Sequence, residues 1–196
     1  MNTIIVGICG GSCSGKTTVL NLVRNELGQR AAYLSFDDYF VKPDLKTVDD
    51  WEDPRLYLYH KFIDDLANIK RGNTIRLESN SRESDNEGIS SKAVASKSLV
   101  FVEGFLIYWD SAASELFDHR YFLDIPESVM IERRKRRANP IYPWDEDDYI
   151  KGKLIEGHRK RILPQKKLPG VKVIDGLNTP ENISEIILSE VQGSAI

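Results

Sequence analysis

Apolar residues along this chain fall into short continuous runs, separated by longer stretches in which they recur every three or four positions. That is the pattern of buried strands alternating with amphipathic helices. Ile4 to Ile8 is the first run, and Thr17 to Leu27 follows as a helix with Val19, Leu20, Val23 and Leu27 on one face. Ala31 to Ser35 predicts a second strand, ending at the acidic tetrad "DDYF". Pro54 opens a helix towards Ile69, with Leu56, Tyr59, Phe62 and Leu66 at helical spacing. Ser98 to Val102, Tyr121 to Leu123 and Val171 to Ile174 read as further strands, and Glu127 to Arg137 and part of Asp147 to Leu163 as helices. Thr179 caps a last helix whose stripe is Ile183, Ile186, Ile187 and Val191. Between them, residues 72–97 are polar, with Ile75, Leu77, Ile89 and Val94 as sparse apolar punctuation, so a variable loop or short hairpin is expected there rather than a core element. The expected class is α/β: a mostly parallel five-stranded sheet with helices on both faces.

With 196 residues, 41% hydrophobic and 29% charged, the chain has the material for one substantial core, so residues 1–196 are taken as a single domain. Twenty-seven basic against thirty acidic residues leave a net charge of -3, which offers no general attraction for nucleic acid. No apolar run spans a bilayer, and Cys9 and Cys13 cannot build a disulfide framework. A reducing compartment is expected, cytoplasmic with the nucleus also open, for a monomer or homodimer that binds neither nucleic acid nor membrane. His60, His119 and His158 share no ligand spacing.

The chemistry is concentrated just after the first strand. Gly10-Gly11-Ser12-Cys13-Ser14-Gly15-Lys16-Thr17 fits G-x-x-x-x-G-K-[ST], between a strand and a helix beginning near Thr18. A glycine turn there lets backbone N–H groups converge on phosphate oxygens at a helix's positive end. Lys16 can reach the β- and γ-phosphates, and the Thr17 hydroxyl can ligate magnesium. ATP and Mg2+ are the expected cofactors.

Acids at strand ends would complete such a site. Glu103, after "SLVFV", is a magnesium organiser, and Asp37 a general base that can also touch the metal through water, leaving Asp38 for hydrogen bonding or capping. In "ERRKRR", Arg134 and Arg137 stand three apart on a helical face, and the region 132–148 is expected to form a basic lid; a solvated charged face is the alternative. Trp51 can stack on a flat base while Glu52 or Asp53 accepts from ribose hydroxyls, unless Trp51 covers the core and the acids cap the next helix. Tyr142 can close the acceptor pocket or pack the lid hinge.

Taken in order, "GICGGSCSGKTT", "SFDDYFVKP", "DWEDP", "VFVEGFLIY", "YFLDIPE" and "ERRKRR" resemble the nicotinamide riboside kinase family, within the uridine-kinase-like P-loop kinases. The resemblance covers most of the chain. It implies transfer of the ATP γ-phosphate to the ribose 5′-hydroxyl of nicotinamide riboside, or of nicotinic acid riboside, in pyridine nucleotide salvage. It also implies that Lys16 and Thr17 match the ATP and magnesium positions, with acceptor activation by Asp37, a magnesium role for Glu103, a ring contact for Trp51, and contacts of Arg134 and Arg137 with ribose and phosphates. Glu52 stands where the family generally has an aspartate on the ribose. A uridine/cytidine-kinase-like phosphotransferase shares the same phosphate and ribose chemistry, and a non-catalytic nucleotide-dependent interaction protein is the alternative from another class.

Overall fold

The computed structural model describes residues 3–41, 48–79, 90–137 and 146–194. Among them are seven strands: β1 (Ile4–Gly10), β2 (Ala32–Ser35), β3 (Ile75–Ser79), β4 (Ser90–Val94), β5 (Leu99–Gly104), β6 (His119–Asp124) and β7 (Val171–Asp175). The five apolar runs become one sheet in the order β2-β5-β1-β6-β7, with every neighbouring pair parallel. Register decides where the chemistry lies. Glu103 pairs with both Ile8 and Ser35, and Gly104 with Cys9, so β1, β2 and β5 finish side by side.

Alternation along the strands sends successive side chains to opposite faces. On one face Val6, Ile8, Phe101, Tyr121 and Leu123 meet Val19, Leu20, Val23 and Leu27 of α1 (Lys16–Leu27) and Ile183, Ile187 and Val191 of the C-terminal helix Pro180–Ser194. The opposite face, with Ile5, Cys9, Leu34, Val100 and Val102, is covered by Phe62, Leu66 and Ile69 of α2 (Tyr59–Lys70) and by Ile162. Thr179 caps the last helix, accepting from the Asn182 N–H at 3.3 Å.

Two local expectations change. The helix expected from Pro54 is a single turn, Pro54–Leu56, and α2 starts only at Tyr59. Between them the chain pairs antiparallel with Phe40: Val41 N–H donates to the Leu56 carbonyl and Leu58 N–H to that of Tyr39, each at 2.8 Å, so these peptides are committed outside a helix. Residues 75–79 and 90–94 pair antiparallel, and Ile75, Leu77 and Val94 are all buried in the main core. That segment reads as polar because only one face of the ribbon is covered.

After α3 (Ser111–Ser114) and α4 (Glu127–Arg137), a helical run over 147–162 alternates α-turns (Asp147–Tyr149, Ile155–Gly157) with wider π-turns (Ile150–Leu154, His158–Ile162).

Candidate active site

At the end of β1 the backbone turns sharply. A Cβ on Gly10 would sit 2.7 Å from the Leu123 carbonyl oxygen and 2.7 Å from Ser14 Oγ, so only glycine lets the loop pass there. Gly15 takes the left-handed conformation (φ 96°) at the N-terminus of α1, where no side chain caps the first turn. The uncapped amides are available to an anion. Lys16 Nζ donates to the Gly11 carbonyl at 2.8 Å, folded over its own loop. Ser14 Oγ is buried without a hydrogen-bond partner among the described residues.

The loop forms one wall of a cavity of about 590 Å³ lined by Ser12, Cys13, Gly15, Lys16, Thr17 and Thr18. Opposite stand Asp37, Asp38 and Glu103, brought together by the strand register. Ser35 Oγ donates to Glu103 Oε1 at 2.7 Å and accepts from the Asp37 N–H at 3.3 Å, tying β2 to β5 beneath the acids. Ser35 therefore caps the turn Phe36–Tyr39, and Asp38, expected as a hydrogen-bonding or capping residue, lines the cavity. Burial raises the Glu103 carboxyl above its ordinary range while the Lys16 charge opposes the rise. Asp38 is also raised, first by burial.

Phe36 holds this corner rigid. Its ring stacks on Tyr57 at 4.6 Å and meets Phe62 edge-on at 5.0 Å and Phe105 at 5.9 Å, so the residue before Asp37 and the one after Gly104 share an aromatic cluster.

The basic helix α4 contributes three arginines. Arg134 is buried and donates from Nη1 to Ser12 Oγ at 2.9 Å; Arg133, not singled out by sequence, donates to the Cys13 carbonyl at 3.2 Å. Arg137 lines the same cavity and is exposed. Of the region 132–148 expected to form a lid, residues 138–145, Tyr142 among them, lie outside the described residues.

On the acceptor side the neighbouring acids separate. Glu52 is 5% exposed and lines the cavity. Asp53 caps the Pro54–Leu56 turn and is held by Arg55, whose hydrogen bonds keep its carboxyl below the usual range; it does not line the cavity. Trp51 is 2% exposed and packs in the core beside Phe40, so its ring is not among the cavity-lining groups. The geometry thus follows the core-covering alternative for Trp51 and the capping alternative for Asp53. Phe105, within the segment "VFVEGFLIY" but not singled out by sequence, lines the cavity as well.

The family model for "Phosphoribulokinase / Uridine kinase family" matches residues 5–140, from β1 through the arginine helix. The chain belongs to this family. A uridine kinase from Clostridium perfringens is 28% identical over 210 residues, covering 97% of each chain. The uridine-cytidine kinase A of Dictyostelium discoideum is 25% identical over 140 residues, which are 69% of this chain and 28% of that longer protein. Among solved structures, a possible uridine kinase from Bacillus stearothermophilus superposes with a TM-score of 0.59 over 87% of this chain and 89% of its own, at 19% identity; the likeness is one of fold. As a member of this family the protein is a P-loop kinase. Membership implies ATP as donor and usually magnesium, but nothing in these likenesses points specifically to nicotinamide riboside. Among the described residues no helix is long and apolar enough to cross a membrane.

Proposed function

We propose that the protein transfers the γ-phosphoryl group of ATP to the 5′-hydroxyl of a ribonucleoside, with pyrimidine ribonucleosides the first acceptors to consider. One observation carries the reading: a single cavity is lined by the phosphate loop, Lys16, the strand-end acids, Glu52 and three arginines. Phosphoryl transfer is catalysed largely by positioning and charge stabilisation, and these groups supply both.

The residues fit the donor. The uncapped start of α1 and Lys16 suit triphosphate oxygens. Thr17, Glu103 and Asp37 offer the hard oxygens magnesium prefers, and an ion shared with phosphates needs only one or two of them. Magnesium, when bound, neutralises charge on the phosphoryl oxygens. Asp37 takes the proton as the acceptor O–H bond breaks and the new O–P bond forms; the bond to the bridging oxygen breaks and ADP leaves. Arg134 and Arg137 stabilise the spreading charge, and Glu52 accepts from the ribose hydroxyls.

The names of the matched relatives favour a pyrimidine acceptor. Nicotinamide riboside is the second reading, favoured by the motif order and by the acids Asp37, Asp38, Glu52 and Glu103, which would attract a cationic pyridinium more than a neutral uracil. Product-resolved phosphorylation of uridine, cytidine, nicotinamide riboside and nicotinic acid riboside at matched subsaturating concentrations tests both. Pyrimidine monophosphates as the main product support the first reading, and nicotinamide mononucleotide the second. ATP binding without any phosphorylated product would reject catalysis on these acceptors.

A further inference from the structure

We infer that Arg161 is a positioning residue for the acceptor: acting through Asp50, it fixes the backbone from which Glu52 enters the cavity. The inference rests on the reading of Glu52 as the acceptor-binding acid. Arg161 Nη2 donates to Asp50 Oδ2 at 2.5 Å, and the other oxygen of the same carboxylate accepts the Glu52 N–H at 2.9 Å. Next to it the Trp51 N–H donates to Tyr149 Oη at 2.8 Å. Two consecutive peptides of the acceptor segment are thus held by side chains, one directly by Tyr149 of the helical run 147–162 and the other by Asp50, which Arg161 ties to the same run.

Gly157 keeps the contact close. A Cβ there would lie 2.6 Å from Arg161 Nη2 and 3.0 Å from Glu52 Cβ, so the helix surface, the arginine and Glu52 occupy one tight corner. Arg161 belongs to the π-turn His158–Ile162, whose first residue packs on the phosphate loop: a Cβ on Gly11 would be 2.7 Å from His158 Cε1. One widened turn therefore touches the donor loop through His158 and the acceptor segment through Arg161. The ion pair is mostly shielded, with side chains 16% and 24% exposed, and such a pair returns little net stability because desolvation offsets attraction. Its geometry explains it better: it relays the position of the helix to the acceptor acid.

The test is a cycle of Arg161→Met, Glu52→Gln and the double variant, with Arg161→Lys as the conservative control, using uridine and nicotinamide riboside as acceptors. Arg161→Met should raise the acceptor KM about tenfold while kcat and the ATP KM change less than about threefold, and Arg161→Lys should recover part of the loss. In the Glu52→Gln background Arg161→Met should add less than about twofold, because the two act in series. Amide exchange over residues 49–53 should quicken about tenfold in Arg161→Met whichever acceptor is used. Multiplicative effects, or unchanged exchange, overturn the inference. A Glu52→Gln enzyme with normal acceptor KM and faster exchange in Arg161→Met removes Glu52 as the acceptor acid and leaves Arg161 a structural clamp only, which also overturns it.

Discussion

Two adjacent acids, Glu52 and Asp53, are chemically alike in sequence, and the structure sets them in different surroundings. Glu52 is 5% exposed at the cavity wall, whereas Asp53 accepts the Arg55 N–H at 2.8 Å and grips the exposed Arg55 guanidinium. Replacing Glu52 with glutamine keeps the shape but removes the charge. Hydrogen bonds to a charged group contribute about 1.5–3 kcal/mol, so kcat/KM for the acceptor should fall roughly 10- to 150-fold with the ATP KM held. Asp53→Ala should instead cost about 1 kcal/mol of stability, the usual value of an N-cap, lowering the melting temperature by about 2–4 °C in a chain of this size. Its solvent-screened pair with Arg55 should add little. Steady-state kinetics varying acceptor and ATP separately, with thermal unfolding of the same preparations, reads both. An Asp53→Ala enzyme defective towards acceptor beside a normal Glu52→Gln enzyme would refute the assignment.

Asp37→Ala should lower kcat by roughly 10²–10⁴ while sparing ATP affinity, with Asp38→Asn affecting turnover less; near-normal turnover of Asp37→Ala at saturating substrates would end its role as base. Burial pushes the Cys9 thiol up to about 12, so a disulfide reagent at about pH 8 should label Cys13 in the native protein and Cys9 only on unfolding; two fast thiols would contradict the packing of Cys9. Burial lowers the pKa of His158 below its ordinary value, with the Lys16 and Lys166 charges adding to the shift and Glu127 and Asp124 opposing it. The unfolded chain then takes up the proton first as pH falls below about 6.5, so that stability is present above that pH and lost through the lowered folded-state pKa. His158→Gln should flatten the loss of melting temperature between about pH 7 and about pH 5, and an unchanged slope would place the acid sensitivity elsewhere.

What could be read from sequence was what the chain states locally. The phosphate loop is contiguous, and Asp37 and Glu103 each follow an apolar run, so a parallel sheet carries them to one edge, where Ser35 pairs with Glu103. Trp51 stayed open between two readings for the same reason. Its neighbours Glu52 and Asp53 read equally as ribose acceptors or helix caps, while the ring crosses into the core against Phe40 and its peptide is held by Tyr149, 98 residues later. No local pattern reports a partner so distant.

The arginines show a subtler limit. "ERRKRR" identifies a basic helix, but its charge pattern leaves the rotation of that helix against the loop undetermined. The missing reference was one apolar residue upstream. Met130 is fully buried, and positions three, four and seven beyond it are Arg133, Arg134 and Arg137, the three that line the cavity, whereas Lys135 and Arg136 turn outwards to Asp147 and Glu132. Helical periodicity anchored on Met130 therefore selects Arg133 as well as the pair chosen by spacing alone. Core packing sets the phase of the cavity-lining face: Met130 seats the helix, and Arg133 and Arg134 reach the phosphate loop as a consequence.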